Sequence, residues 1–258
     1  MTERPPLRCG LRLARLPLAF AMLFVSMIAL TAVACGGDDD EEGATEPTTL
    51  AATAVATSSN ATVQKLNALA VPVALANGAT LGAATAKVTL TMYEDFQCPH
   101  CLNFTATTEP MIVDEYVKAG KLKLEFRNLP ILGQESVLAA IAGYCAAEEN
   151  KFWQLHKALF IVQAEANQLT AEKTNVGRFS AENLVKYATA AGADPTAFTT
   201  CMGAQTTIDA LTKQLQDAST LGLRGTPSFV LDGVAQSGQP ATLDAWRKFL
   251  DDAVAKAK

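Results

Sequence analysis

Apolar and polar residues alternate along Lys87-Val88-Thr89-Leu90-Thr91-Met92-Tyr93 and again along Lys121-Leu122-Lys123-Leu124-Glu125-Phe126-Arg127. A period of two over such lengths predicts two β-strands. Between them the period changes: Leu102, Met111, Ile112, Tyr116 and Val117 recur at helical spacing, with a break or kink at Pro110 and a stop at Gly120. Strand, helix and strand in this order predict a βαβ unit. From Glu135 to Leu221 the pattern stays helical, carried by Val137 to Ala142, Phe152 to Val162, Ala181 to Ala191 and a last run through Ile208, Leu211 and Leu215. Ser180 and Asp194-Pro195 read as helix starts. The aromatics Phe152, Trp153 and Phe160 read as core.

Near the C-terminus the period returns to two. Ser228-Phe229-Val230-Leu231 predicts a strand, Asp232-Gly233 a tight turn, and Val234-Ala235-Gln236 the return arm of a hairpin. Thr242 can cap a final amphipathic helix through Trp246, Phe249, Leu250 and Val254. These elements predict an α/β fold, a small mixed sheet with a helical insertion at about 134–222 between its halves.

The N-terminus departs from this pattern. Arg4, Arg8, Arg12 and Arg15 precede an uncharged apolar run from Leu16 to Ala34, which ends in Ala32-Val33-Ala34-Cys35-Gly36. Residues 1–35 therefore have the layout of an export signal. The small residues before Cys35 match a bacterial lipobox, in which cleavage precedes the cysteine and the cysteine carries lipid; Ala32 stands where that motif prefers Leu. The alternative is an uncleaved membrane anchor, since the run approaches the roughly 20 residues that span a bilayer, with Pro17 at its start. Either reading puts everything after Cys35 outside the cytoplasm, at the membrane, because the arginines hold the N-terminus inside. Residues 36–80 begin with an acidic cluster and continue as a tract of Ala, Thr and Ser, too poor in large apolar side chains to offset its ordering entropy. They read as a tether, with folded sequence starting between Leu66 and Leu81 and the domain occupying 81–258.

Composition adds an exclusion. The chain has 258 residues, 49% apolar and 18% charged, and a net charge of −5. Without residues 1–35 it carries 17 basic against 25 acidic side chains, a net charge of −8. No basic patch remains to attract nucleic acid.

Cysteine usage carries the chemistry. Cys9 lies in the signal region and Cys35 is the lipidation candidate, leaving Cys98, Cys101, Cys145 and Cys201, an even number in an oxidising compartment. Cys98-Pro99-His100-Cys101 can be read as a metal site, a cross-link or a redox couple. A structural zinc needs about four ligands. The motif supplies two, no second CxxC or His pair appears among His100, His156, Cys145 and Cys201, and no metal is implied. A bridge closing so short a loop removes little chain entropy. The redox reading uses the whole motif. Cys98 falls at the start of a helix, where unpaired N–H groups and the macrodipole favour an anionic sulfur. Pro99 fits the first helical position, and Cys101 returns to the same face. His100 stabilises the thiolate if it donates a hydrogen bond or carries charge; otherwise it is a surface histidine. Cys145 and Cys201 are either buried single thiols or a pair that closes a long loop.

Three stretches, YEDFQCPHC at 93–101, NKFWQLHKALF at 150–160 and LRGTPSFVLDG at 223–233, resemble the thioredoxin-fold disulfide oxidoreductases of bacteria, in particular the DsbA-like group that includes the Gram-positive forms. The resemblance covers about residues 81–257. It implies a thioredoxin fold with an inserted α-helical domain, a cis Pro227 facing the CxxC, and a Thr226 backbone that pairs with a substrate strand. One departure stands out: the buried acid that thioredoxin-like proteins often carry six residues before the first cysteine falls on Met92, which cannot titrate. Glu94 and Asp95 are nearby, and sequence does not decide which faces the sulfurs.

The implied activity is thiol-disulfide oxidation of exported proteins with free thiols, through a mixed disulfide at Cys98, with a quinone-linked membrane partner restoring the bridge and no metal, flavin or nucleotide cofactor. A reductase or isomerase on the same fold is one alternative. A tethered peptide- or metal-binding protein without turnover is another.

Overall fold

The computed structural model describes residues 58–257, and its first helix, α1 (Ala61–Ala68), lies inside the segment expected to be a tether. Asn60 caps it, accepting hydrogen bonds from the Thr62 and Val63 N–H groups, and ties it to the body by donating to Ala164 O at 2.7 Å. Val63 and Leu66, three residues apart, are buried. Two short strands follow, β1 (Ala76–Asn77) and β2 (Thr80–Leu81). The boundary expected at 80 is thus corrected for residues 60–81. Two buried side chains and a helix cap order a stretch whose average composition is polar. The earlier part of the expected tether, and the signal with Cys35, lie outside the described residues.

The central strand, β3 (Val88–Glu94), is buried along almost its whole length. Helix α2 (Pro99–Thr107) and the short α3 (Glu109–Ile112) follow, continued by a π-helical turn at Val113–Val117. Pro110 sits in the first turn of α3, so the expected break comes at Thr108, one helical start earlier than the proline itself. Strand β4 (Leu122–Asn128) buries every second residue, as its alternation predicts. Five helices then form the insertion: α4 (Gln134–Glu148), α5 (Phe152–Glu165), α6 (Ala181–Ala190), α7 (Pro195–Met202) and α8 (Gln205–Thr220). The chain returns through β5 (Ser228–Leu231) and β6 (Val234–Ala235), and ends in α9 (Leu243–Lys256), which Thr242 caps.

The strands form one mixed sheet in the order β1-β2-β4-β3-β5-β6. Only β3 and β4 are parallel, as a βαβ unit requires; Met92 pairs with Phe126 on one side and with Phe229 on the other. Two aromatic clusters brace the end of β3. Phe96, Phe126, Phe152 and Phe160 surround His156 beneath the insertion. Phe104 of α2, Phe229 of β5 and Trp246 of α9 meet with centroids 4.9–5.7 Å apart. Such pairs add about 0.5–1.5 kcal/mol each beyond their burial.

Candidate active site

Strand β3 ends at Glu94, and only Asp95, Phe96 and Gln97 separate it from the N-cap of α2, which is Cys98. Asp95 makes the turn: its Oδ1 accepts from Gln97 N–H at 2.8 Å and its carbonyl from Cys98 N–H at 2.9 Å. Pro99 occupies the first helical turn, where its missing N–H leaves no orphan. The Cys98 sulfur therefore sits among the unpaired amides of a helix start. Cys98 and Cys101 carry free thiols, 5% and 0% exposed.

Their environments push the two thiols apart. Cys98 is lowered to about 6, chiefly by the hydrogen bond from the Cys101 thiol. Burial opposes this, and the Thr226 side chain and the main-chain N–H groups of Cys101 and His100 reinforce it. Cys101 is raised well above the ordinary thiol range, first by burial and then by that same bond to Cys98. The surroundings thus favour the thiolate at Cys98 and the thiol at Cys101.

The Thr226-Pro227 peptide is cis, as the resemblance implies. Protonated Cys98 donates from Sγ to Thr226 O at 3.3 Å. Thr226 and Pro227 are half-exposed, so a partner chain can reach this segment beside the sulfur. His100 enters differently from expectation. Its backbone amide serves the sulfur, while the exposed imidazole, with Phe104 and Thr107, lines one wall of a cleft of about 410 Å³. Pro240, Leu243 and Trp246 line the other wall.

The structure separates the two acids left open by sequence. Asp95 is fully engaged: besides the turn it accepts from Ser136 Oγ at 2.6 Å and from the Ile131 and Leu132 N–H groups at 2.8 and 3.0 Å. Glu94 is 1% exposed, and neither of its carboxyl oxygens meets a hydrogen-bond partner. By strand alternation it shares Met92's face, two residues nearer the sulfurs. Burial raises it well above the ordinary carboxyl range, helped by Glu109 and Cys98, and its charge in turn raises Cys101. Glu109, equally buried, is raised to about 8 by desolvation, with Thr105 pulling the other way. His156 Nε2 lies 3.9 Å from Glu109 Oε2. Burial lowers the imidazole to about 3, so the pair is a neutral acid beside a neutral ring. Glu109 escaped the sequence reading because nothing in its local pattern marks it, and His156, read only as one of too few metal ligands, could not be paired with it.

The other cysteines lie elsewhere. Cys145 of α4 and Cys201 of α7 are joined by a disulfide with Cα atoms 5.7 Å apart. Cys35 lies outside the described residues. Among the described residues no three His, Cys, Asp or Glu side chains gather as a metal site requires, and no helix is long and apolar enough to cross a membrane.

This sheet, with its insertion after β4 and its two thiols beside a cis-proline segment, defines a thioredoxin fold. Residues 74–252 match the family model described as thioredoxin, and the chain belongs to that family. It is 34% identical over 83 residues to the probable disulfide bond formation protein D of Bacillus cereus, a stretch covering 31% of this chain and 38% of that one. The match thus spans little more than a third of that relative's length. Among solved structures it is similar to oxidised BdbD from Bacillus subtilis, with a TM-score of 0.60 and 22% identity over 69% of this chain and 94% of the other. It is also similar to a thioredoxin-like oxidoreductase from Silicibacter pomeroyi, with a TM-score of 0.53 and 26% identity over 70% and 92% of the two chains.

Proposed function

We propose that the protein is a thiol-disulfide oxidase that acts outside the cytoplasm on exported proteins with free thiols. The observation that carries this reading is a Cys98 thiol lowered to about 6 beside the half-exposed Thr226 segment. Stabilising the thiolate stabilises the reduced enzyme, which makes its disulfide the stronger oxidant.

The reaction starts from a Cys98–Cys101 bridge. A substrate thiolate attacks Cys98 Sγ, the bridge breaks, and Cys101 departs as a thiolate. Glu94, neutral at rest, gives that sulfur its proton; Cys101's raised range favours accepting it. A second substrate thiolate then attacks the substrate sulfur of the mixed disulfide and releases the Cys98 thiolate. The substrate loses two electrons and gains a disulfide; the enzyme gains both electrons. Reoxidation removes the Cys101 proton, and Glu94 takes it back. Thr226 main-chain groups supply strand pairing for the incoming peptide, and the cleft walled by His100 and Trp246, of mixed polar and apolar lining, supplies a flank.

The arginine-flanked apolar run and Cys35 support export and attachment to the membrane by lipid or by an N-terminal helix. A quinone-linked membrane partner fits the reoxidation step on the strength of the family resemblance. The test is the reduction potential of the Cys98/Cys101 couple. A value well above about −270 mV, where thioredoxin lies, is expected; one at or below it makes the protein a reductase instead. Cys98→Ser separates the binding-protein alternative, because a mere binder keeps its affinity while the oxidase loses all turnover.

A further inference from the structure

Two glutamines, Gln163 in the last turn of α5 and Gln168 in the turn after it, are completely buried. Each gives a side-chain N–H to the loop that precedes Cys98: Gln163 Nε2 donates to Phe96 O at 2.6 Å and Gln168 Nε2 to Gln97 O at 3.0 Å. The loop reciprocates. Buried Gln97 accepts from Asn175 N–H at 2.8 Å and donates to Ser136 Oγ at 2.8 Å. Asn175 fits because Gly133 opposite it, at φ +112°, has no Cβ to collide with the amide. The three residues between β3 and Cys98 are thus bonded chiefly to the insertion.

A primary amide can face either way, since its two ends are alike in shape and opposite in hydrogen-bond sense. Arg178 removes the choice. A guanidinium only donates, and its Nη1 meets Oε1 of Gln163 and, at 3.2 Å, Oε1 of Gln168. Lys173 N–H also supports Gln168 at 3.1 Å, so Gln163 is the amide whose sense Arg178 determines. With both oxygens turned to Arg178, the N–H ends face the carbonyls of Phe96 and Gln97.

Those carbonyls belong to the two peptides that lead into Cys98. Held as acceptors, they are directed at the insertion. Besides the Thr226 carbonyl at 3.3 Å, the sulfur is left facing the Cys101 thiol, the Thr226 side chain and the His100 and Cys101 amides. A peptide free to turn would bring a negative carbonyl end toward an anionic sulfur. We propose that Arg178 is a positioning residue for the redox centre: through Gln163 and Gln168 it locks the peptides of Phe96 and Gln97, and with them the donors that Cys98 meets. The proposal rests on Cys98 reacting as a thiolate and not on the oxidising direction proposed above. The ionisable groups around the sulfur are Cys101 and Glu94; those around Arg178 are Glu135, which accepts from the Gly177 and Phe179 N–H groups, and Tyr187.

The test compares Arg178→Ala, Arg178→Lys and Gln163→Met with wild type by the pH profile of Cys98 alkylation, the reduction potential and thermal melting. Gln163→Met keeps volume and charge, and it decides the question should Arg178→Ala fail to fold. Expected are an upward move of the alkylation midpoint in both Arg178→Ala and Gln163→Met, with about threefold less thiolate at pH 6, and a partial return in Arg178→Lys. Melting temperatures that fall while profile and potential stay at wild type would overturn the proposal. So would a shift in Arg178→Ala with none in Gln163→Met, which would make the effect one of charge alone. The potential of wild type itself tests the oxidase reading, so the two can fail separately.

Discussion

Cys98 Sγ and the carbonyl oxygen of Thr226 lie 3.3 Å apart although 128 residues separate them in sequence. The contact joins the sulfur to the segment at which the proposed substrate strand adds, so a peptide bound there would run directly past the sulfur. Any cysteine it carried at that register would be delivered to Cys98.

The first prediction concerns that sulfur. Alkylation of the reduced protein should rise with a midpoint near pH 6, where Cys98 titrates. It should vanish in Cys98→Ser, since Cys101 is buried and held as a thiol. Rate against pH with a small alkylating agent measures both. A midpoint near that of free cysteine, about 8.5, contradicts the donor geometry.

Glu94→Gln isolates proton transfer, because glutamine keeps the side chain's shape and cannot give up a proton. Reaction of the oxidised protein with a substrate thiol should slow at least about tenfold, while Cys98 alkylation in the reduced protein stays near wild type. Stopped-flow measurement of the first step is the readout. Equal rates in the two proteins would remove Glu94 from the mechanism.

Glu109 makes stability depend on pH. The folded protein keeps its proton up to about pH 8, whereas the unfolded chain releases it near 4.5. Its contribution is therefore complete below 4.5 and is lost as pH rises toward 8, at about 1.4 kcal/mol per pH unit. His156 has the opposite sense: its lowered folded value costs stability only as pH falls below 6.5. From pH 6.5 to 8, Glu109→Gln should gain on wild type by about 2 kcal/mol, or about 4–8 °C in Tm. Melts of the two reduced proteins, in which Cys98 titrates alike, check this. A constant offset across the range would contradict it.

The Cys145–Cys201 bridge closes a separation of 56 residues between α4 and α7. Replacing both cysteines with alanine should cost up to roughly 4 kcal/mol of stability through the unfolded chain, with the Cys98 alkylation profile unchanged. Denaturant unfolding of the oxidised proteins measures the first. An unaltered midpoint would mean that helix packing alone holds the insertion.

What sequence made legible follows from periodicity. Strands β3 and β4, the Asp232-Gly233 turn and the capped α9 were all readable because each carries its own pattern and punctuation. Strands β1 and β2 were not: at two residues each, and without the preceding strand and Asp-Gly turn that mark the equally short β6, they carry no alternation of their own. Helix α1 hid in a polar average, although Asn60 followed by Val63 and Leu66 is a cap with an i, i+3 apolar pair. At the site, Cys98, Pro99, Cys101, Thr226 and Pro227 sit in contiguous motifs. Glu94 could have been chosen by parity, since it shares a strand face with Met92. Gln163, Gln168 and Arg178 could not: their roles exist only once α5 and the segment after it fold over the catalytic loop.

Strand β3 lies between β4, which follows it closely in the chain, and β5, which arrives near the end. A polypeptide emerging N-terminus first thus presents its reactive dithiol long before Thr226, β5 and α9 exist to flank it. Until those last segments arrive the sulfur has only the partners its own helix supplies, so the side of the site formed by Thr226 is the last of it to be assembled.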